Sequence, residues 1–266
     1  MTTLADQTID ADHRTYERLA ALVATLTDDQ LTEPSAASAW TVAQVLSHLG
    51  SGAEITLASL RAAESGTERG TDANSAVWAR WNARSPREQA DGYLRAAEQL
   101  DAALGDLDAR QRDELQVPMA FLPEPAGIDL FAGMRLNEAA LHAWDVEVAF
   151  TPTATVPDGV AAVLIDQYLG PLAFLLGFTG KPDQVSNRPV TLTLNTTAPE
   201  RTLGLELGDR AALTLAPAQS DGEIHLPTEA LPRLLSGRLR PLDRDGDIRV
   251  DGPLSLDDLR RVFPGY

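Results

Sequence analysis

The chain has 266 residues, 44% of them hydrophobic, a formal net charge of −17 and no cysteine. That length accommodates one large domain or two ordinary ones, and the hydrophobic share is enough for a sizeable core. The acidic balance, without a Lys/Arg cluster, argues against a nucleic-acid partner and against anionic membrane surfaces; zero cysteines rule out a disulfide framework, a Cys-type zinc site and a Cys nucleophile, so any sulfur chemistry needs a thiol from outside.

The opening "MTTLADQTIDADHRTYERL" is acidic and lacks an apolar core segment, so no signal or transit peptide is expected there. In "DHRTYERLAALVATLTDDQL", Leu19, Leu22, Val23 and Leu26 recur at three- and four-residue spacing, which predicts a helix from about Ala11 to Leu26. A Pro/Ser loop, "TEPSAASAW", follows. Thr41 then reads as the N-cap of a long second helix carrying Val42, Val45, Leu46, Leu49 and Ile55. Ser85 as cap and Pro86 at the first helical position open a third. After the Pro-rich "VPMAFLPEPAGIDL", a fourth helix is expected from about Asp129 to Phe150. Four antiparallel helices make a bundle, spanning residues 1–150, and bundle cores commonly hold metal sites built from facing helices.

The composition shifts at "TPTATVPDG", after which "VAAVLIDQYLGPLAFLLGF" reads as one more helical stretch. Its most apolar part, Gly170 to Phe178, is too short to span a bilayer. From Arg188 the period shortens to two: "PVTLTLNT", "RTLGLELG" and "AALTLAP" alternate Leu or Val with Thr or Glu, as half-buried antiparallel strands do. "DGEIHLPTEALPRLLSGRL" reads as a strand, a Thr-initiated helix and a Gly stop, and "DIRVDGPLSLDDLRRVFPGY" as a last strand and a closing helix. The fold class expected is therefore α+β: a four-helix bundle followed by a smaller α+β domain, residues 151–266, with an antiparallel sheet. The chain reads as cytoplasmic, as a monomer or small homo-oligomer, with no membrane and no nucleic-acid partner.

Within the fourth helix, "RLNEAALHAWDVEVAF" puts Glu138, His142 and Asp145 on one stripe, with Arg135 a turn before Glu138. His48 sits between Leu46 and Leu49 of the second helix. If the two helices face each other, one carboxylate and two imidazoles converge, and three N/O ligands with a fourth position open is the arrangement of a catalytic zinc site. The same spacing also fits a plain reading, in which Arg135 and Glu138 form an ion pair, His142 is a satisfied core histidine and Asp145 is solvated. Burying His48 without a partner is costly, which weighs against that reading.

These residues carry a resemblance. Trp40, Val42, His48 and Leu49 in "SAWTVAQVLSHLG", followed by Arg135, Glu138, His142 and Asp145 at R-x-x-E-x-x-x-H-x-x-D, resemble the paired signatures of the mycothiol-dependent maleylpyruvate isomerase family. The resemblance extends to "EIHLPTEALPRLLSGRL" and "DGPLSLDDLRRVFPGY", so it covers nearly the whole chain. It implies a DinB-like N-terminal bundle, a C-terminal domain resembling sterol carrier proteins, and a divalent metal, usually zinc, held by His48, Glu138 and His142. It further implies mycothiol, the low-molecular-weight thiol of actinobacteria, as cosubstrate; the Arg-rich composition, with Lys181 the only lysine, suits such a host.

The chemistry implied is a thiol activated by the metal, attacking a small electrophile in isomerisation or S-transfer. Asp145 reads as the acceptor for a ligand-histidine N–H or a cosubstrate amide, and Arg135 as orienting Glu138 or meeting a substrate carboxylate, with ordinary structural roles open for both. Trp144 flanks the site and is expected to contact the cosubstrate. Arg238 and Arg240 follow a predicted helix end, where they could clamp an anionic substrate or simply be exposed. Trp40, Trp78, Trp81 and Trp144 together read as core or pocket wall, and His13 and His225 as surface or edge histidines. Two other readings stay open: a hydrolase using metal-bound water, and a non-catalytic protein binding a metal, a lipid-like molecule or an anti-sigma-type partner.

Overall fold

The computed structural model describes residues 2–37, 39–70, 72–119, 122–185, 188–240 and 247–265. The chain divides into two compact units, 1–154 and 155–266. In the first, α1 (Leu4–Val23), α2 (Asp28–Leu31), α3 (Val42–Ser65), α4 (Ala73–Asn82), α5 (Pro86–Gly105), α6 (Ala109–Glu114) and α7 (Ile128–Phe150) follow in order, with a two-residue ribbon of β1 (Gln116–Val117) and β2 (Ala126–Gly127) before α7. Each of the four long helices packs on two others: α1 and α3 both contact α5 and α7.

Capping chemistry sets the helix starts. Thr41 and Gln44, and Ser85 and Glu88, form reciprocal capping boxes that open α3 and α5 where the sequence places them. The start of α1 differs from expectation: it begins at Leu4, not Ala11, because Thr3 and Asp6 form a capping box. It also stops at Val23, since Thr27 and Gln30 cap a separate short helix, α2. Helix α4 is an addition to the four expected, and its Trp81 is almost fully buried. That indole fits where α3 and α5 carry glycine: a Cβ on Gly50 would stand 2.2 Å from Trp81 Cη2, and one on Gly92 3.0 Å from it.

The bundle core forms two apolar clusters. One joins Leu19, Leu46, Leu49, Tyr93, Ala143 and Val146; the other joins Ile9, Leu57, Leu60, Leu100, Phe131 and Ala132. Between them along α1 and α7 lie two buried charged residues, Asp12 and Arg135.

The second unit contains α8 (Asp158–Leu169), α9 (Ala173–Thr179), a 3-10 turn at Pro182–Gln184, β3 (Val190–Thr197), β4 (Glu200–Leu207), β5 (Ala211–Leu215), β6 (Gly222–Leu226), α10 (Ala230–Leu235), β7 (Arg249–Asp251) and α11 (Leu256–Val262). The expected single helix at residues 160–178 is broken into α8 and α9 around Gly170 and Pro171, where proline restricts the preceding residue and removes a donor. The sheet order is β5-β4-β3-β6-β7. It is antiparallel except for the β3–β6 pair, which is parallel, Leu194 lying opposite Ile224. Alternation along β3 buries Val190, Leu192, Leu194 and Thr196 as the period-two pattern predicts. Thr228 does not cap α10; its hydroxyl donates to the Pro199 carbonyl. Gly237, at φ 71°, terminates that segment in the left-handed region. No single helix among the described residues is long and apolar enough to cross a membrane.

Candidate metal centre

The Thr41 cap fixes the phase of α3, and with it His48, two turns in. Helix α7 is buried over most of its length, and on the stripe holding Glu138, His142 and Asp145 the last two are buried while Glu138 is partly exposed. The packing of α3 on α7 brings His48 Nε2 to 2.9 Å from Glu138 Oε2, and His142 Nε2 lies 3.7 Å from the same oxygen. One ligand atom from each of the three residues lies within 4.8 Å of the others. Asp145, fully buried, places Oδ2 2.8 Å from His142 Nδ1. Side-chain exposure grades across the group: His48 37%, Glu138 31%, His142 8%. The cluster is therefore anchored at Asp145 and His142 and open on the His48 and Glu138 side.

The donor set suits a borderline divalent ion. Zinc ligands at about 2.0–2.1 Å stand roughly 3.3 Å apart in a tetrahedron, and the 2.9 and 3.7 Å separations bracket that spacing. With Nδ1–H donated to Asp145, His142 turns the lone pair of Nε2 toward Glu138, the tautomer a metal ligand needs. Two neutral imidazoles and one carboxylate leave a divalent ion with net positive charge and a position for an exogenous ligand.

The remaining residues singled out in the sequence fall elsewhere. Trp144 is 1% exposed and its indole N–H donates to the Ala154 carbonyl, which leaves little of the ring facing solvent for the expected cosubstrate contact. Its position two residues after His142 turns it about 200° around the helix, away from the cluster. Trp40 stands there instead, 39% exposed, its ring centroid 5.2 Å from that of His48 and 6.0 Å from that of His142. Trp78 is exposed as well, whereas Trp81 is core.

Arg135 is buried, and Nη1 donates to the Leu49 carbonyl on α3, the residue following His48. Its charge also acts on Asp12, whose carboxyl is pushed up to about 6, because burial outweighs the pull of that guanidinium. Burial likewise raises the Tyr93 hydroxyl above its ordinary range, opposed by Arg135. Arg135 thus links α7 to α3 by a hydrogen bond, and its charge is felt by the buried Asp12 of α1 and Tyr93 of α5.

In the second unit, Arg238 is buried with Nη1 3.4 Å from the Ser236 carbonyl, while Arg240 is exposed. Arg240 and Arg260, together with Leu234, Leu239 and Phe263, line a cavity of about 230 Å³. A paired clamp of Arg238 and Arg240 on an anion stays an expectation, one side chain being buried and the other exposed. His13 is a surface residue paired with Asp101, and His225 is exposed but lies on β6, an interior strand of the sheet.

Fold and site together define a helical bundle bearing a two-histidine, one-carboxylate cluster, joined to an α+β unit. Residues 13–147 match the family model of the mycothiol maleylpyruvate isomerase N-terminal domain, and the chain belongs to that family. Two solved structures resemble it over nearly its whole length. One is a mycothiol-dependent maleylpyruvate isomerase, at 16% identity and TM-score 0.64, covering 96% of this chain and 98% of that one. The other is a histidine-to-alanine mutant of an enzyme of the same name, at 15% identity with the same TM-score and coverage. No curated protein sequence matches the chain.

Proposed function

We propose that the chain is a metal-dependent enzyme that employs an exogenous thiol, mycothiol, against a small electrophile, in isomerisation or S-transfer. The observation that carries the reading is the convergence of His48, Glu138 and His142, with ligand atoms within 4.8 Å of one another on the α3–α7 contact. Membership of the mycothiol maleylpyruvate isomerase family supports the choice of thiol, and the absence of cysteine means that the chain supplies no thiol of its own.

When bound, a divalent cation such as zinc supplies the Lewis acidity that favours the thiolate form of a thiol at neutral pH. Residues of the chain do the rest. Asp145 accepts the Nδ1–H of His142 and so fixes that ring with Nε2 toward Glu138. Glu138 brings the single negative charge of the donor set. The partly exposed edges of His48 and Glu138 border the side on which thiol and electrophile enter.

For a conjugated electrophile, a C–S bond forms at one end of the double bond as its π pair moves onto the activating group. Rotation about the resulting single bond and return of that pair expel the sulfur, inverting the double-bond geometry and regenerating the thiol. Where the attacked carbon carries a leaving group, the C–S bond is kept and that group departs with its electron pair.

The test is product analysis with and without mycothiol, using maleylpyruvate and an alkylating electrophile. Conversion that requires the thiol and disappears in His142→Ala supports the proposal. Turnover that proceeds equally without thiol, with water incorporated in the product, overturns it.

A further inference from the structure

We infer that Trp40 is a positioning residue for the metal centre, its indole clamping both histidine rings in the orientation that turns them toward Glu138. The inference rests on the reading of His48, Glu138 and His142 as a metal site.

Three rings form a closed cluster. The indole lies 5.2 Å from the His48 imidazole at an interplanar angle of 45°, and 6.0 Å from that of His142 at 27°. The imidazoles meet edge to face at 4.8 Å and 69°. All three separations fall within the range of favourable aromatic contact. Trp40 belongs to neither ligand-bearing helix, yet the loop that carries it adjoins one and is bonded to the other. Its carbonyl accepts from Ser35 N at 3.0 Å and from Ser35 Oγ at 2.8 Å, and its N–H donates to Ala37 O at 3.0 Å. The same loop is pinned to α7 by Ala36 N–H donating to Asp145 O at 3.0 Å, and Trp40 immediately precedes Thr41, the cap of α3.

The two histidines depend on this clamp unequally. His142 is also held through Nδ1 by buried Asp145, whereas His48, the more exposed ring, has Trp40 packed on it. Loss of the indole leaves the His48 ring held only through its Glu138 contact and the edge of His142, so that a cation must do more of the ordering of that ring on binding. The outward part of the indole adds an apolar wall beside the open side of the cluster, which lowers local water access and strengthens ligand–metal attraction.

The experiment measures zinc affinity of the full chain by competition with a chromophoric chelator, for wild type, Trp40→Ala, Trp40→Leu and Trp40→Phe, with far-UV circular dichroism checking the fold. Removal of supporting contacts around a metal ligand typically costs about 10–100-fold in affinity. Trp40→Ala is expected near the lower end, about tenfold weaker, with Trp40→Leu close to it, and Trp40→Phe within about threefold of wild type because a ring is restored. In the cobalt-loaded protein, the visible d–d bands of Trp40→Ala should change shape while those of Trp40→Phe should not. Wild-type affinity and an unchanged cobalt spectrum in both Trp40→Ala and Trp40→Leu overturn this inference alone. A wild-type chain that binds neither zinc nor cobalt overturns the metal reading and the inference with it.

Discussion

Substitution of Asp145 gives a graded test of how the centre is built. The carboxylate is fully buried and its Oδ2 lies 2.8 Å from His142 Nδ1, so it both selects the tautomer with Nε2 unprotonated and prevents rotation of the ring. Asp145→Asn keeps a carbonyl acceptor but replaces a charge-assisted hydrogen bond, roughly 1.5–3 kcal/mol, by a neutral one of about 0.5–1.5 kcal/mol. The difference, about 1 kcal/mol, corresponds to an affinity loss of about fivefold. Asp145→Ala removes the acceptor altogether and should weaken zinc binding by about 10–100-fold. Chelator competition at neutral pH reads both, and the order wild type, Asn, Ala must appear together with intact helical circular dichroism. Equal affinities across the three would mean that His142 orients itself without Asp145.

Three further outcomes follow from packing and charge. Gly50→Ala places a methyl group 2.2 Å from Trp81 Cη2, and the ring has little room to retreat, being held by Glu54 through Nε1 and pressed by Arg84 at 3.9 Å. Overpacking of this kind costs about 1–3 kcal/mol and exceeds the gain of roughly 1 kcal/mol that alanine normally brings to a helix interior; the melting temperature should fall, and a rise would contradict the packing described. Because burial raises the Asp12 carboxyl from 3.8 to about 6, the folded state holds that proton more tightly than the unfolded chain. The stabilisation is complete below pH 3.8 and is lost as pH rises through 6, so the unfolding free energy of wild type relative to Asp12→Asn should decline by up to about 3 kcal/mol between pH 4 and 7. Denaturant titrations at several pH values check this, and a flat difference would refute it. Trp81→Ala, which empties the space between Gly50 and Gly92, should cost about 3–5 kcal/mol in the same assay.

The sequence exposed the parts of the fold that short-range chemistry controls. Thr41 and Ser85 announce their helices because a cap is a local hydrogen-bonding event, and the strand alternation of β3 is visible because one face is buried. The early start of α1 was hidden because Leu4–Asp10 carries polar residues on a weakly apolar face, although its cap at Thr3 was there to be read. Helix α4 has no side-chain cap bond, and what holds it is Trp81 inserted between two glycines of other helices, a tertiary fact. The parallel β3–β6 pairing was equally out of reach, since period-two alternation is the same for either strand direction.

At the site, helical spacing was sufficient to group Glu138, His142 and Asp145, and His48 joined them as a polar residue on an otherwise apolar second helix, its ligand role then implied by the resemblance. Adjacency in sequence is not adjacency on a helix: Trp144, two residues from His142, is buried with its N–H on the Ala154 carbonyl, while Trp40, remote from His142 in sequence, stacks on that ring and meets His48 at a tilt of 45°. Arg135 illustrates the same limit, because its link to α3 runs through the Leu49 carbonyl, a backbone group with no sequence signature.

Whether His48, Glu138 and His142 hold a divalent cation is decided by the zinc content of the purified wild-type chain beside His48→Ala and His142→Ala after equilibration with limiting zinc. About one zinc per wild-type chain and little retained by either variant are expected, with the helical fold preserved. Full zinc occupancy in both variants would contradict this ligand set.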